Sequence, residues 1–203
     1  MSLFQQDLPP GLIYVANWLS NEEHEKVLAE IDSLAFDVTL SRRVQHYGAR
    51  YDYGSASLSA AGTAPPIPPV IGIVGQRLHT EGFFSKVPDQ VIVNEYLSNQ
   101  GIAGHIDRTS FGEAVATVSL LESWQMLFRS PKGDKSDVLL ERCSLAVMTG
   151  DSRYEWTHEI AKRKFESNGG IKTIRGRRIS LTFRTTNREY SLLRLSFLSQ
   201  IMK

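Results

Sequence analysis

The sequence predicts a mainly β fold, a β-sandwich or jelly roll with helices along one side, and three observations carry that expectation. After Asp89 the chain breaks into short segments rich in β-branched and aromatic residues, divided by Gly, Asp and Ser turns. Before Asp89 lie two stretches with helical periodicity. From Arg178 to Arg184 polar and apolar residues alternate one by one, the period of a strand with two different faces. The 203 residues, 41% hydrophobic and 22% charged, suit one domain with a substantial core. Within it, residues 1–88 are expected to hold helices and a recognition segment, 89–188 the jelly-roll core, and 189–203 a tail.

The first helix is expected over residues 20–31. Ser20 with Glu23 three places on is a capping-box pattern, and Val27, Leu28 and Ile31 form the apolar stripe. The proline cluster Pro65-Pro66-Ile67-Pro68-Pro69 introduces a second helix, with Val70, Val74 and Leu78 at four-residue spacing and Gly82 as its stop. Strands are expected at residues 91–96, 115–121, 124–128, 139–148, 158–160 and 178–185, with a turn at Pro131-Lys132-Gly133-Asp134. The Leu- and Phe-rich residues 190–203 are expected to pack back on the core as an amphipathic segment.

Composition excludes several classes. A net charge of +1 gives no strong overall field, so attraction to a polyanion must come from a local patch. The single cysteine, Cys143, rules out an intramolecular disulfide framework and fits a reducing intracellular compartment, cytoplasmic or nuclear. The first residues show no basic stretch followed by a long apolar one, and no apolar run reaches membrane-spanning length, so neither a signal peptide nor membrane contact is expected.

The residues with chemistry are His105, Asp107, His158, Arg178 and Arg184. Side chains at i and i+2 of an extended segment share a face, so His105 and Asp107 converge if that segment is a strand. His158, at the end of another short strand, can be brought alongside by a jelly roll. Two imidazoles and one carboxylate on one side of a metal leave positions open for a co-substrate and O2, the pattern of non-haem Fe(II) sites. Arg178 and Arg184 share the polar face of their strand with Ser180 and Thr182. Buried arginines require an anion, and a guanidinium holds a carboxylate through two parallel hydrogen bonds. Six residues of strand span roughly 20 Å, so the two cannot hold one carboxylate at one end: they could contact opposite ends of a site, or Arg184 could reach back toward the metal. Asn94 and Tyr96 repeat the i, i+2 spacing and could donate to the co-substrate.

Together these residues resemble the AlkB-type Fe(II)/2-oxoglutarate dioxygenases. The resemblance runs in order through Asn94-x-Tyr96, His105-x-Asp107, His158, and Arg178 with Arg184. It implies a double-stranded β-helix of the jelly-roll kind, with iron on His105, Asp107 and His158. It further implies 2-oxoglutarate held by Asn94, Tyr96, Arg178, Ser180 and Arg184, with Arg178 on the distal carboxylate. Residues 148–158 and the run Arg42-Arg43-Val44-Gln45-His46-Tyr47-Gly48 look most like the AlkB module of the tRNA wobble-uridine enzymes, which extends the resemblance over most of the chain. Two places depart from repair members of the family: Thr109 stands where an acidic residue often reads the damaged base, and Ser180 where Asn is common.

The interleaved Arg42, Arg43, Tyr47, Arg50 and Tyr51, with Thr109 near the metal, are the candidate substrate contacts, since cations among flat rings suit phosphates and bases. Lys162, Arg163, Lys164, Lys172, Arg175 and Arg177 form a second basic region. The expected function is oxidation of an alkyl group on a nucleic-acid base by a monomer, RNA or tRNA ahead of single-stranded DNA, with O2 as co-reactant. An oxygenase acting on a protein or small molecule, and a non-catalytic nucleic-acid-binding module of the same fold, are the rival readings.

Overall fold

The strand from Arg178 to Thr186 is buried at every position, so its alternating sequence serves two interiors. Ile179, Leu181 and Phe183 enter an apolar core under the helices, while Arg178, Ser180, Thr182 and Arg184 line a cavity on the opposite side. The chain is seen in a computed structural model that describes residues 8–49, 51–52, 57–58, 64–168 and 170–187. In chain order its elements are β1 (Leu12–Val15), α1 (Asn21–Ser33), β2 (Arg43–Gly48), β3 (Tyr51–Asp52), β4 (Ser57–Leu58), α2 (Pro69–Thr80), β5 (Gln90–Tyr96), β6 (Ile102–His105), β7 (Phe111–Leu121), β8 (Trp124–Arg129), β9 (Lys135–Leu140), β10 (Leu145–Met148), α3 (Gly150–Tyr154), β11 (Thr157–Ile160), β12 (Phe165–Asn168), β13 (Ile171–Ile174) and β14 (Arg178–Thr186).

Six strands form the larger sheet, in the order β1-β10-β7-β14-β5-β2, and four form the smaller, β6-β11-β8-β9. Every pairing in them is antiparallel. Helices α1 and α2 cover one face of the larger sheet. Val27, Ile31, Ile71, Val74 and Leu78 pack there against Val91, Val93, Val118, Leu120, Leu181 and Phe183. The smaller sheet covers the other face through a second core that includes Tyr96, Val115, Trp124, Met126, Phe128 and Leu140. Two facing antiparallel sheets with flanking helices make the jelly roll that the strand pattern predicts.

Local chemistry explains the helices. Ser20 caps α1 reciprocally: its Oγ accepts from the Glu23 N–H at 3.1 Å, and Glu23 Oε2 accepts from the Ser20 N–H at 2.7 Å. The α2 start, at Pro69 after Pro68, has no side-chain cap of its own. Glu30 of α1 supplies one, accepting from the N–H groups of Val70 and Ile71 at 3.0 and 2.8 Å. A carboxylate there also meets the positive end of the helix.

The structure differs from the sequence reading in several places. Residues 139–148 are not one strand but the end of β9 and all of β10, divided by a turn in which Cys143 has φ +66°. The break itself is charged, Glu141-Arg142, and the buried Cys143 and Ser144 carry the buried character on from it into β10. Strands β1 and β2, from the segment read as helical and recognition, are the two edges of the larger sheet. The five-residue α3 lies between the expected strands 139–148 and 158–160, where the sequence reading places no element. The β12–β13 hairpin is clasped at its base by Glu166, which pairs with Arg175 and, at 2.6 Å, with Arg163. Arg175 also lies 4.0 Å from the Trp124 ring. Arg177 pairs with Asp32 and Glu95. Three members of the second basic region are therefore structural. Residues 190–203 lie outside the described residues. Among the described helices, none is long and apolar enough to cross a membrane.

Candidate functional site

Antiparallel register sorts the polar residues of β14 and its neighbours into rows. Arg178 stands between Leu121 and Tyr96, Ser180 between Ser119 and Asn94, Thr182 between Thr117 and Ile92, and Arg184 between Val115 and Gln90. Edge strand β2 sets Val44 beside Asn94 and His46 beside Ile92. Short hydroxyl side chains in the middle rows leave room above the sheet, and a cavity of about 720 Å³ occupies it. Its roof is β6, β11 and the segment after β6, which contribute Ile102, His105, Ile106, Asp107, His158 and Ile160.

His105 and His158 face each other across β6 and β11, with ring centroids 4.3 Å apart. Strand β6 ends at His105, so Asp107 lies two residues past it in irregular chain, yet lines the same cavity. The His105 Nδ1–H donates to the Ala103 carbonyl at 2.8 Å. A carbonyl only accepts, so the free lone pair is on Nε2. His158 Nε2 is 3.7 Å from Asp107 Oδ2. This is not an ion pair, because burial pushes the His158 pKa down to about 4, against the pull of Asp107. Burial would raise the Asp107 pKa, but Arg184, His158, Arg153 and His105 outweigh it and hold the carboxyl below its usual range. A neutral imidazole and an ionised carboxylate are the forms that bind metals. Asp107 Oδ2 is buried with no hydrogen-bond partner, as expected of an oxygen reserved for a cation. Among the described residues these donors meet pairwise and do not form a closed three-ligand group.

The other end of the cavity is cationic. Arg178 is 1% exposed, and its Nη2 donates to Ser119 Oγ at 3.0 Å while its Nε has no partner. Burial pushes its pKa down to about 10 despite the pull of Tyr96. Such a cation, with no carboxylate beside it among the described residues, calls for an anionic ligand. Asn94 and Tyr96 line the cavity on the neighbouring strand. Arg184 donates from Nη2 to Asp107 Oδ1 at 2.6 Å, which sets the two arginines at the two ends of one floor.

Arg153 of α3 has a role invisible in the sequence. Fully buried, it donates to the backbone carbonyls of Asp107 at 2.7 Å and Arg108 at 2.6 Å, and so holds the irregular segment that presents the carboxylate. Only a buried position on a short helix reveals it, and no spacing rule points there.

The candidate substrate residues separate. Arg42 lines the cavity. Arg43 points to the other face of β2, where it pairs with Glu95 and lies 4.7 Å from the Phe36 ring. Tyr47, also on that face, is buried in the core under the helices. Alternation along β2 is the reason: Arg42, Val44 and His46 face the cavity, and Arg43, Gln45 and Tyr47 face away. Thr109 is exposed on a turn outside the cavity, while Arg108 lines it. Arg50 lies outside the described residues, as does the side chain of Tyr51.

Comparison with known proteins decides the family. The model of the 2OG-Fe(II) oxygenase superfamily matches residues 11–184. The chain belongs to that superfamily. This oxygenase is an AlkB-type dioxygenase, and it is 36% identical over 206 residues to "tRNA (carboxymethyluridine(34)-5-O)-methyltransferase ALKBH8" of Mus musculus, with 89% of this chain and 31% of that protein covered. It is 28% identical to "Alkylated DNA repair protein ALKBH8 homolog" of Arabidopsis thaliana, covering 91% of this chain and 61% of the relative. The oxygenase thus spans about a third of the mouse relative and under two thirds of the plant one. Its fold matches the solved structure of OsALKBH1 with a TM-score of 0.65, at 22% identity, over 89% of this chain and 99% of that one. The superfamily implies Fe(II), 2-oxoglutarate and O2, and the orphaned Asp107 oxygen and the unpaired Arg178 guanidinium fit the first two.

Proposed function

We propose that this oxygenase oxidises an alkyl group on a nucleic-acid base, with RNA, and tRNA in particular, preferred to DNA. In this reading His105, Asp107 and His158 hold Fe(II). Asn94, Tyr96, Ser180, Arg178 and Arg184 hold 2-oxoglutarate, with Arg178 on its distal carboxylate. The observation that carries the reading is a buried guanidinium without a carboxylate at one end of a cavity whose other end holds the two imidazoles and Asp107.

Bound iron would supply the oxidising chemistry, coupled to decarboxylation of 2-oxoglutarate to succinate. The chain's own part is positioning. Arg184 orients Asp107 through Oδ1 and leaves Oδ2 for the metal. The Ala103 carbonyl fixes the His105 tautomer. A hydroxylated carbon on a ring nitrogen leaves as formaldehyde, and one on a stable side group keeps its hydroxyl.

The charge of the lining supports a substrate that is not cationic. Among its described residues Arg42, Arg108, Arg178 and Arg184 are positive and Asp107 is the single carboxylate, already committed to the metal. A cationic methylated base meets no counter-charge there, whereas a neutral base such as a uridine meets no penalty. The printed name of the mouse relative concerns a uridine of tRNA. The name of the plant relative favours a second reading, repair of alkylated DNA.

The test has two arms. Anaerobic Fe(II) with 2-oxoglutarate should give a weak visible charge-transfer band, lost in His105→Ala, Asp107→Ala and His158→Ala; a band intact in all three would overturn the ligand assignment. Nucleoside mass spectrometry after incubation with undermodified tRNA, methylated RNA and methylated single-stranded DNA should then find oxidised product in RNA. Efficient demethylation of the DNA with no product in either RNA would overturn the RNA preference.

A further inference from the structure

Arg42 sits at the end of the 37–42 loop, where a strand-binding role is expected, yet its guanidinium enters the cavity wall. Its Nε donates to Asn94 Oδ1 at 2.8 Å. Its Cζ lies 5.9 Å from the Tyr96 ring centroid, and the Arg178 Cζ lies 5.6 Å from the same centroid. Tyr96 is thus flanked by two guanidiniums, one from β14 and one from the loop. With Oδ1 occupied, the Asn94 amide has only its NH2 left to offer, and Asn94 lines the cavity.

We infer that Arg42 is a positioning residue of the co-substrate pocket: it fixes the Asn94 amide as a donor to the bound dicarboxylate and ties that pocket to the loop at the cavity mouth. The inference rests on the 2-oxoglutarate reading above and adds a residue from the recognition segment to it. Within the loop the Thr39 N–H donates to Asp37 Oδ1 at 2.8 Å. Asp37 bridges to Val44 through both backbone bonds, at 2.8 and 3.0 Å, and the Ser41 carbonyl accepts from Gln100 Nε2 at 2.7 Å. Val38 and Leu40 are 70% and 48% exposed, and Leu40 lines the mouth. A dicarboxylate that immobilises Asn94 also immobilises Arg42, and through it this apolar-tipped loop, before a substrate arrives.

The experiment is an anaerobic titration of the full chain with 2-oxoglutarate, Mn(II) replacing iron. Arg42→Met should bind the co-substrate about tenfold more weakly, the scale of one hydrogen bond to a charged partner, with Mn(II) affinity alone unchanged. Arg42→Lys should recover only part, since an ammonium cannot reproduce the guanidinium's direction. In the Asn94→Ala background, adding Arg42→Met should cost almost nothing more, a coupling that general loss of stability would not produce. Hydrogen exchange of residues 37–42 should slow on co-substrate binding in the parent and not in Arg42→Met. Unchanged co-substrate affinity in both variants overturns the inference. So does unchanged affinity with a tRNA-binding salt dependence flattened by about one slope unit, which would place Arg42 on a phosphate. Failure of the parent protein itself to bind 2-oxoglutarate would overturn the underlying site reading instead.

Discussion

Arg178 and Arg184 show how one residue type does two jobs on one strand. Arg184 has its carboxylate, Asp107, within the chain, so its charge is balanced at all times. Among the described residues Arg178 touches Ser119 and the Tyr96 ring but forms no ion pair, and Glu166, whose pull it feels, is already paired with Arg175 and Arg163, so its balance depends on a ligand. Arg178→Ala should therefore raise the 2-oxoglutarate requirement tens-fold or more, since breaking a buried charge-assisted pair costs about 2–5 kcal/mol. Arg178→Lys should rescue poorly for want of the bidentate fork. Co-substrate titration of both variants checks this, and an unchanged requirement in Arg178→Ala removes the role. At this scale much of the candidate site is legible in the sequence, because strand alternation puts Arg178, Ser180, Arg184, Asn94 and Tyr96 on one face before any coordinates exist. The same alternation, applied to β2, separates Arg42 from Arg43 and Tyr47. Reading those three as one patch groups neighbours in sequence that point to opposite faces. Arg153 was not legible, since its partners are backbone carbonyls 45 and 46 residues away.

Among the elements, the helices depend on contacts that sequence shows only in part. The α1 cap is local, three residues long, and readable. The α2 cap comes from Glu30, about forty residues upstream, and no motif announces it. Glu30→Ala should destabilise the protein by about 1 kcal/mol, the usual worth of a lost cap, measured as a lower urea midpoint with unchanged m-value. His24 on α1 gives a pH signature. It is buried, and its Nε2 accepts from the Leu121 N–H at 3.2 Å, where the backbone turns with φ +67°. Burial lowers its pKa below the ordinary 6.5, and the pull of Glu25 does not restore it. Above 6.5 both folded and unfolded chains keep the ring neutral. Below it the unfolded chain takes up a proton that the folded chain refuses, so stability falls as pH falls. Urea midpoints from pH 7.5 to 5 should decline, with the buried His158 contributing in the same direction, and His24→Gln should make that decline shallower without removing it. A slope identical in the variant would show that other groups cause it. One strand boundary failed at a short turn: Glu141 and Arg142 mark the break with charge, while the buried Cys143 and Ser144 just after them resemble the strand that follows.

Over the whole molecule, the division of labour is between sheets. The smaller sheet and the segment after it carry His105, His158 and Asp107, and the larger carries Asn94, Tyr96, Arg178 and Arg184. The β-rich pattern, the two helices and the fold class were legible because they follow from periodicity. The pairing of β1 and β2 at the edges was not, because which strands become neighbours is decided by packing. Substrate identity is likewise decided by what lines a cavity that no linear pattern displays.

Thr117, Ser119, Ser180 and Thr182 occupy the middle of the larger sheet's inner face, all buried, where a protein selected only to stay folded would carry branched aliphatic chains. The cavity above them is apolar volume given up in exchange for activity. Ser180→Leu with Thr182→Leu should occupy the part of it next to the floor, raising unfolding free energy by about 1 kcal/mol, as cavity-filling substitutions do, while abolishing co-substrate binding. Loss of stability in this double variant would show that the floor is already well packed. If the expectation holds, a screen that rewards thermal tolerance alone will accumulate changes at these four positions, and the map of what it accumulates will trace the outline of the active site from the side of stability, with no assay of catalysis.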